Sequence, residues 1–459
     1  MGKDRQARWW VCSGVGFGLF ILLAMAPQPA MTSEGEFRQH PPPFSSSPLY
    51  QPYVDFWIRI FSVYRGNQVI VHDAKEPWNV IKILTFENLN PDTEHIPDAF
   101  HEYLKHQRKA IEQTLLDLHR EGARAATRSQ LHRWLWSLYG SRRSHNPDIF
   151  KELTGRIRMQ WGMRDAFIRS LRRMVYYQPS IERIIRRYGA PHDLVYLPLL
   201  ESGYNPYAGS YAGALGLWQF MRSAARKHGL IVGRYIDQRF DPILATGAAM
   251  RYLLDAYRRF HSWPLAVTSY NHGVRGIERA LNEFGQTPWD IILTRYEGPH
   301  FGFASRNFYA EFLAVRYLAR NREVYFPDLN LENGKRWRFQ DVVLDRTLPV
   351  QSLPSRFHVP TTVFLQYNPQ FLLTAFLRNV RIRKGTRLRL PEGTVVAENR
   401  DFHIIRPGET LRGIARVYRV SLRDLQAWNP DLQSRRLIPG QKIRVAAPEL
   451  MGSYGGRSP

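Results

Sequence analysis

From Trp9 to Ala26 the chain reads WWVCSGVGFGLFILLAMA, an apolar run of 18 residues behind the positively charged MGKDRQAR. That length lies between a signal-peptide core and a membrane span. Ala24-Met25-Ala26 has the small-x-small form of a cleavage site, Pro27 is a poor neighbour for it, and Ala30 is a second candidate. Residues 1–30 therefore predict either a cleaved signal peptide or an uncleaved membrane anchor, and both export the rest of the chain. The apolar pattern then stops: residues 31–54, rich in Pro and Ser, read as a tether. It resumes with an apolar segment followed by QVIVH and NVIKIL around turn-forming residues, which predicts a short helix plus a hairpin. From Pro97 to Tyr188 the period becomes helical. Phe100, Tyr103, Leu104, Ala110, Ile111, Leu115 and Leu118 recur at three- and four-residue steps. Residues 55–186 thus predict a mostly helical N-terminal region, and helices broken at Gly and Pro continue through 191–320.

After about residue 345 an internal repeat appears. VYRVSLRDLQAWNP (417–430) matches RFHVPTTVFLQYNP (356–369): Tyr418 pairs with Phe357, Val420 with Val359, Leu425 with Phe364, and Asn429-Pro430 with Asn368-Pro369. PGQKIRV (439–445) answers RKGTRLRL (383–390) after a longer loop in the first copy. Each copy predicts strand, two short helices, strand, placing the modules at 342–393 and 401–446. The second copy, from His403 to Val445, resembles a LysM module. That resemblance implies a βααβ fold holding N-acetylglucosamine-containing chains in a shallow groove. Thr410, Leu411 and the loop from Leu432 through Leu437 to Ile438 would flank it. The first copy lacks the PGETL opening and reads as a degenerate module.

Composition narrows the partners. With 44% hydrophobic and 13% aromatic residues the chain is globular. A formal net charge of +24 points to an anionic neighbour, whether nucleic acid, membrane surface or acidic polymer. Lys and Arg are dispersed, and neither a zinc-finger pattern nor an RNA-binding aromatic motif appears, so nucleic acid is set aside. Cys12, inside the apolar run, is the sole cysteine, which leaves no disulfide or thiol chemistry to the exported part. His72 and His228 show no metal-ligand spacing and read as packing or surface residues.

Against that background LLESGYNPYAGS (199–210) strands one acid, Glu201, behind Leu197, Leu199 and Leu200; the next acid is Asp237. A carboxyl at the end of an apolar helix, half removed from water, has a raised pKa, as a general acid near neutral pH requires. A solvated or salt-bridged Glu fits the same position. The order ESGYNP, GLWQFM (216–221) and SYNHG (269–273) separates the two readings. These motifs, with RRYGAPHDLVYLPLLESGYNP around the first, resemble the lytic murein transglycosylases of goose-type lysozyme fold, in the membrane-bound type D branch that ends in LysM modules.

The resemblance implies a mainly α protein with a lysozyme-like catalytic domain at 187–325 and βααβ modules at the C-terminus, in the periplasm or cell envelope. It implies no cofactor and no metal, and glycan strands of peptidoglycan as partner, with the membrane a second contact if residues 9–26 stay attached. Glu201 would be the catalytic acid and base, with Ser202 orienting its carboxyl. Gly216 and Leu217 would let the backbone approach the sugar, Trp218 would form an apolar cleft wall, and Gln219 would meet the acetamido group of muramic acid. Tyr270 and Asn271 would support Glu201 and the sugar, and Gly273 would allow tight packing. One position departs: the family's tyrosine in ETRNYV aligns with Phe308 of ASRNFY, and Tyr309 follows it. Either Tyr309 supplies the missing hydroxyl or that bond is absent. Ordinary glycosidases use two carboxylates, and none follows Glu201 closely in sequence. One Glu would then protonate the glycosidic oxygen and later deprotonate the muramic C6 hydroxyl, leaving a 1,6-anhydromuramoyl end. A non-catalytic peptidoglycan-binding protein, or a hydrolytic muramidase drawing on a distant acid such as Asp237 or Asp241, remains the alternative.

Overall fold

The computed structural model describes residues 43–92, 98–329, 331, 336–394, 402–418, 420–430 and 437–445. The apolar run at 9–26 and the loop 431–436 lie outside them, as does the first half of the expected tether, 31–42. No helix of the described residues is long and apolar enough to cross a membrane. The chain divides into two compact units, one of 1–338 with 365–381, the other of 339–364 with 382–459.

The first unit opens with helix α1 (Gln51–Ser62), whose face of Tyr53, Val54, Phe56, Trp57, Ile60 and Phe61 is buried. The expected tether does not extend to residue 54. Phe44 and Tyr50 are buried, Phe44 against the rings of Trp263 and Phe312, and the Tyr50 hydroxyl donates to Arg306 O at 2.6 Å. Large aromatic side chains bury too much apolar area to remain in a solvated linker. The expected hairpin forms from β1 (Gln68–Asp73) and β2 (Val80–Thr85), antiparallel with Ile70 opposite Ile83.

Helices α2 (Asp98–Glu121), α3 (Gln130–Tyr139) and α4 (Ile149–Arg156) follow. Phe100, Leu104, Ile111, Leu115 and Leu118 of the helical period sit in one core with Val69, Leu84 and Phe150, while Ala110 is exposed. The helical expectation fails at β3 (Ile157–Trp161), which pairs antiparallel with β1 and makes the sheet order β2-β1-β3. The cause is tertiary: β1 is buried from Val69 to Asp73 and needs partners for both edges. Arg156, at the end of α4, fixes the turn into β3 through both oxygens of buried Asp73.

Helix α5 (Arg164–Arg187) leads to α6 (Leu197–Ser202) and, after an irregular stretch, α7 (Arg222–Lys227). Helices α8 (Pro242–Phe260), α9 (Trp263–His272), α10 (Val274–Phe284), α11 (Trp289–Arg295), α12 (Phe303–Arg320) and α13 (Arg322–Tyr325) complete the bundle. α8 packs on α5 and α9, and α12 on α1, α6 and α9.

The second copy of the repeat shows the expected strand, two helices and strand, whereas the first adds a third short helix and two two-residue strands between its outer strands. The first runs β4 (Phe339–Val343), the two-residue β5 (Leu348–Pro349), α14 (Ser352–Arg356), α15 (Thr361–Tyr367), α16 (Leu373–Leu377), the two-residue β6 (Arg381–Ile382) and β7 (Arg387–Pro391), with β4 antiparallel to β7. It is not self-standing, because 365–381 belongs to the first unit. There Asp237 N donates to Gln370 O and Leu372 N to Tyr235 O. The second runs β8 (Phe402–Ile404), α17 (Leu411–Tyr418), α18 (Leu422–Ala427) and β9 (Lys442–Arg444), with β8 antiparallel to β9. Its core is Ile405, Ile414, Ala415, Leu425, Ile443 and Val445. The Asn-Pro of the repeat has a structural purpose: Asn429 Oδ1 accepts from Arg444 N at 2.6 Å and its Nδ2 donates to Leu425 O at 2.8 Å, tying α18 to β9.

Candidate active site

Pro198 sits in the first turn of α6, where its missing N–H costs nothing, and Gly203 ends the helix at φ 56°. The Gly203 and Tyr204 amides donate back to Leu199 O and Pro198 O. This short helix holds Glu201 in its last turn, between buried Leu199 and Ser202. Glu201 keeps partial solvent access, but the protein around its carboxyl is dense. Burial, and secondarily the charge of Glu311, pushes its pKa up to about 8. No hydrogen bond from the described residues offsets the burial. The raised pKa inferred from the helix end is therefore present, and for the inferred reason.

The three motifs meet through the backbone of the second. Ser202 Oγ donates to Leu217 O at 2.8 Å, and Tyr270 Oη donates to Trp218 O at 2.8 Å. Tyr270 faces Glu201: burial first, then the Glu201 and Tyr252 charges, raise its pKa well above normal. Tyr252, on α8, is pushed up to about 12 by burial and also feels Glu201. Asn271 is exposed beside them, its Oδ1 accepting from Ser305 Oγ at 3.1 Å. Burial lowers the His272 pKa to about 4, so this ring brings no charge at neutral pH.

Several expected roles are reassigned by this geometry. Ser202 does not orient the Glu201 carboxyl, because its hydroxyl is engaged with Leu217 O, more weakly with Pro198 O, and by the Asn205 amide. Gly216 and Leu217 do not open the backbone to a sugar: Leu217 is fully buried, and a Cβ at Gly216 would lie 1.8 Å from Arg239 O. Gly216 holds φ 81° and the close approach is to protein. Trp218 is core, with no exposed surface and Nε1 donating to Thr246 Oγ1 at 2.8 Å. Gln219 sits at φ 46° with Nε2 donating to Ala208 O and Gly216 O, which leaves its carbonyl oxygen for a ligand. Gly273 is required by φ 88°, since a Cβ there would meet nothing within 4 Å. Tyr309 does not replace the hydroxyl missing at Phe308: it is fully buried, donates to Ser45 O at 3.1 Å, and packs on Tyr50, Trp289 and Phe312.

The distant acids are occupied. Asp237 is buried and paired with Arg239, whose Nη2 lies 2.7 Å from it, and Asp241 caps α8 through the Ile243 and Leu244 amides at 3.0 Å. The acid whose charge is felt by Glu201 is Glu311 of α12, which lies outside the three quoted motifs and on a helix distant in sequence, so that the motif reading did not single it out. Tyr207 and Tyr211, exposed in the stretch between α6 and α7, also escaped the motif reading. Among the described residues no three His, Cys, Asp or Glu side chains come together as a metal site.

In the second unit Thr410 Oγ1 accepts from Gly413 N at 3.1 Å, capping α17. Leu411 and Leu437 pack against the module core, and Ile438 is 60% exposed.

Residues 179–291 match the transglycosylase SLT domain family, and residues 403–446 match the LysM domain family. Membrane-bound lytic murein transglycosylase D of Escherichia coli (strain K12) is 25% identical over 288 residues, 57% of this chain and 62% of that protein. The chain thus spans less than two thirds of that relative's length. A putative tributyltin chloride resistance protein of Alteromonas sp. (strain M-1) is 29% identical over 118 residues, 26% of this chain and 56% of that protein. The solved lytic transglycosylase Slt of Pseudomonas aeruginosa, an inactive mutant, is 19% identical, with a TM-score of 0.26 over 34% of this chain and 25% of its own. The chain therefore carries an SLT domain, within a mainly helical unit, and a LysM domain after it.

Proposed function

We propose that this protein is a peptidoglycan lytic transglycosylase that cleaves the β-1,4 bond between N-acetylmuramic acid and N-acetylglucosamine without water. The observation that carries the reading is Glu201: a carboxyl without a hydrogen-bond partner, raised to about 8, at the junction of three motifs joined by the Ser202–Leu217 and Tyr270–Trp218 bonds. At neutral pH the group is protonated. It gives its proton to the glycosidic oxygen as the C1–O bond breaks, while the sugar's own acetamido group stabilises the oxocarbenium-like centre. The resulting carboxylate takes the proton of the muramic C6 hydroxyl, whose oxygen closes on C1. The proton count balances and the product is a 1,6-anhydro end.

Gln219, through its free carbonyl oxygen, and exposed Asn271 are the polar groups offered to the glycan, and Tyr207 and Tyr211 offer aromatic faces. The LysM domain, with Thr410, Leu411, Leu437 and Ile438 around its groove, holds the strand nearby. The site of action is the cell envelope, reached through residues 1–30 as export signal or anchor. A hydrolytic muramidase requires an ionised second carboxylate. Asp237 and Asp241 are engaged elsewhere, and Glu311, itself pushed up to about 8 by burial, is protonated at neutral pH and a poor base.

Purified sacculi incubated with the protein and analysed by mass spectrometry test this. Anhydromuropeptides are expected, their release falling as pH rises through about 8 where Glu201 ionises. Glu201→Gln lowers that release by at least about a hundredfold. Reducing ends in place of anhydro ends, or near-normal turnover by the variant, refutes the reading.

A further inference from the structure

We propose that His272 is a positioning residue of this cleft: through Ser305 it turns the Asn271 side chain so that its amide N–H groups, not its carbonyl oxygen, face the glycan. The purpose of the arrangement rests on the transglycosylase reading, but its geometry does not.

His272 is the last residue of α9, directly after Asn271, and Gly273 ends the helix at φ 88°. The turn into α10 brings Gly276 against the imidazole: a Cβ there would lie 2.2 Å from Cδ2 and 2.3 Å from Nε2 of His272. Only a residue without a Cβ leaves room for the ring. Phe301 closes on it edge-to-face, the ring centroids 4.9 Å apart at 86°. So held, the ring has its two nitrogens in different surroundings. Nε2 is buried and has no hydrogen-bond partner among the described residues. Nδ1 lies 3.2 Å from Ser305 Oγ of α12, the helix packed on α9, and that oxygen lies 3.1 Å from Asn271 Oδ1. Ser305 is buried; Asn271 is exposed, and among the described residues Ser305 is its one side-chain partner.

Burial, then the charges of Arg279 and His300, keep the ring neutral at neutral pH, so it carries one N–H. Two arrangements are open to that proton. On Nδ1 it is donated to Ser305 Oγ, and the serine hydroxyl donates onward to Asn271 Oδ1, so every proton of the chain has an acceptor. On Nε2 it becomes a buried donor with nothing to receive it. Nε2 lacks a partner in either case, and an unpaired buried N–H is the more rarely tolerated of the two. The second arrangement also spends the single serine proton on Nδ1. Asn271 Oδ1 would then face a lone pair, and the amide would have to rotate to offer its N–H groups inward. The carbonyl oxygen faces Ser305, as the first arrangement requires.

Asn271 therefore meets the cleft with its NH2. Gln219 does the reverse: its Nε2 is spent on Ala208 O and Gly216 O, and its carbonyl oxygen is left. The cleft thus offers one donating and one accepting amide, each fixed by contacts behind it. A glycan carries accepting oxygens in its acetamido carbonyls and hydroxyls, and Asn271 in this orientation holds one of them. An apolar side chain at 272 would release the serine proton from its direction, and the amide would have no preferred face. Fixing the amide in advance removes that ordering cost from binding, so the effect falls on affinity and not on the chemical step.

NMR of the full-length protein carrying 15N-labelled histidine reads the tautomer directly, with the His272 signals identified by their loss in His272→Asn. The proton is expected on Nδ1 at neutral pH. In kinetics of anhydromuropeptide release from soluble glycan strands, His272→Ala raises KM about three- to tenfold and leaves kcat within about twofold. His272→Asn, whose amide can place an N–H where Nδ1 stood, restores KM. Ser305→Ala cuts the same chain, so the double variant rises no further than either single one. A proton on Nε2 overturns the proposal, as does an unchanged KM in folded His272→Ala or an additive rise in the double variant. If His272→Ala does not fold, the tautomer and the KM of Ser305→Ala decide the matter. If the wild-type protein releases no anhydro product, the transglycosylase reading fails while the NMR still decides where the His272 proton lies.

Discussion

Each hydroxyl near Glu201 has a definite recipient, and those recipients separate support of the fold from support of the acid. Ser202 and Tyr270 donate to the carbonyls of Leu217 and Trp218, so they clamp the second motif between α6 and α9 and touch the carboxyl only through that clamp. Tyr309 is further removed, its hydroxyl bonded to Ser45 O. Tyr309→Phe therefore loses a single buried bond, about 1 kcal/mol of stability, and leaves the Ser45 carbonyl to find another donor. Turnover on sacculi stays within about twofold of wild type, because the hydroxyl makes no contact with the reacting centre. Thermal unfolding and product release, measured on one preparation, separate these outcomes. A tenfold loss of turnover with unchanged stability would return Tyr309 to the active site.

At the scale of elements, the stretch between α6 and α7 has little regular structure and is held by isolated pairings of Leu215 with Gly209 and Phe220. Its conformation depends on positions that tolerate positive φ, Gly216 at 81° and Gln219 at 46°. Gly216→Ala meets two penalties together, an unfavourable φ and a Cβ 1.8 Å from the Arg239 carbonyl oxygen, which is backbone and cannot swing aside. Arg239 itself is buried and fixed by Asp237. The substitution costs roughly 3 kcal/mol or more. Denaturant titration should show the loss, and a melt indistinguishable from wild type would mean that the segment is not so constrained. The strand β3 teaches the same lesson about context: Ile157–Trp161 follows a helix directly and becomes a strand because β1 presents an edge to it.

For the whole molecule, the two copies of the repeat are put to different uses. The second copy closes its own core and matches the LysM family, whereas the first gives residues 365–381 to the other unit. Removing residues 401–459 takes away the LysM domain, proposed to hold glycan, and none of the groups proposed for catalysis. Cleavage of short soluble glycans then persists while co-sedimentation with insoluble sacculi weakens, because tethering raises the local concentration of substrate. Equal sedimentation of full-length and truncated protein would end the anchoring role. The net charge of +24 contributes non-specific attraction to anionic wall polymer, so the comparison belongs at physiological salt, where that term is screened.

Local order along the chain determined what depends on neighbours in sequence. The helical period fixed the core of α2 through Phe100, Leu104, Ile111, Leu115 and Leu118. The apolar segments QVIVH and NVIKIL around turn-forming residues foretold the hairpin, and the aligned repeat foretold the paired outer strands of each copy, β4 with β7 and β8 with β9. The apolar residues before Glu201 foretold a raised pKa, because desolvation follows from what surrounds a short helix end. Tertiary structure alone decided which groups meet. The tether around Phe44 and Tyr50 became core, and Trp218 turned inward to Thr246. The Tyr309 hydroxyl went to Ser45, and Glu311 brought its charge to bear on Glu201 from a helix distant in sequence. The reason is that periodicity records which face of an element is buried, while the partner of a hydrogen bond or a charge is set by the packing of elements, to which neither spacing nor composition is sensitive.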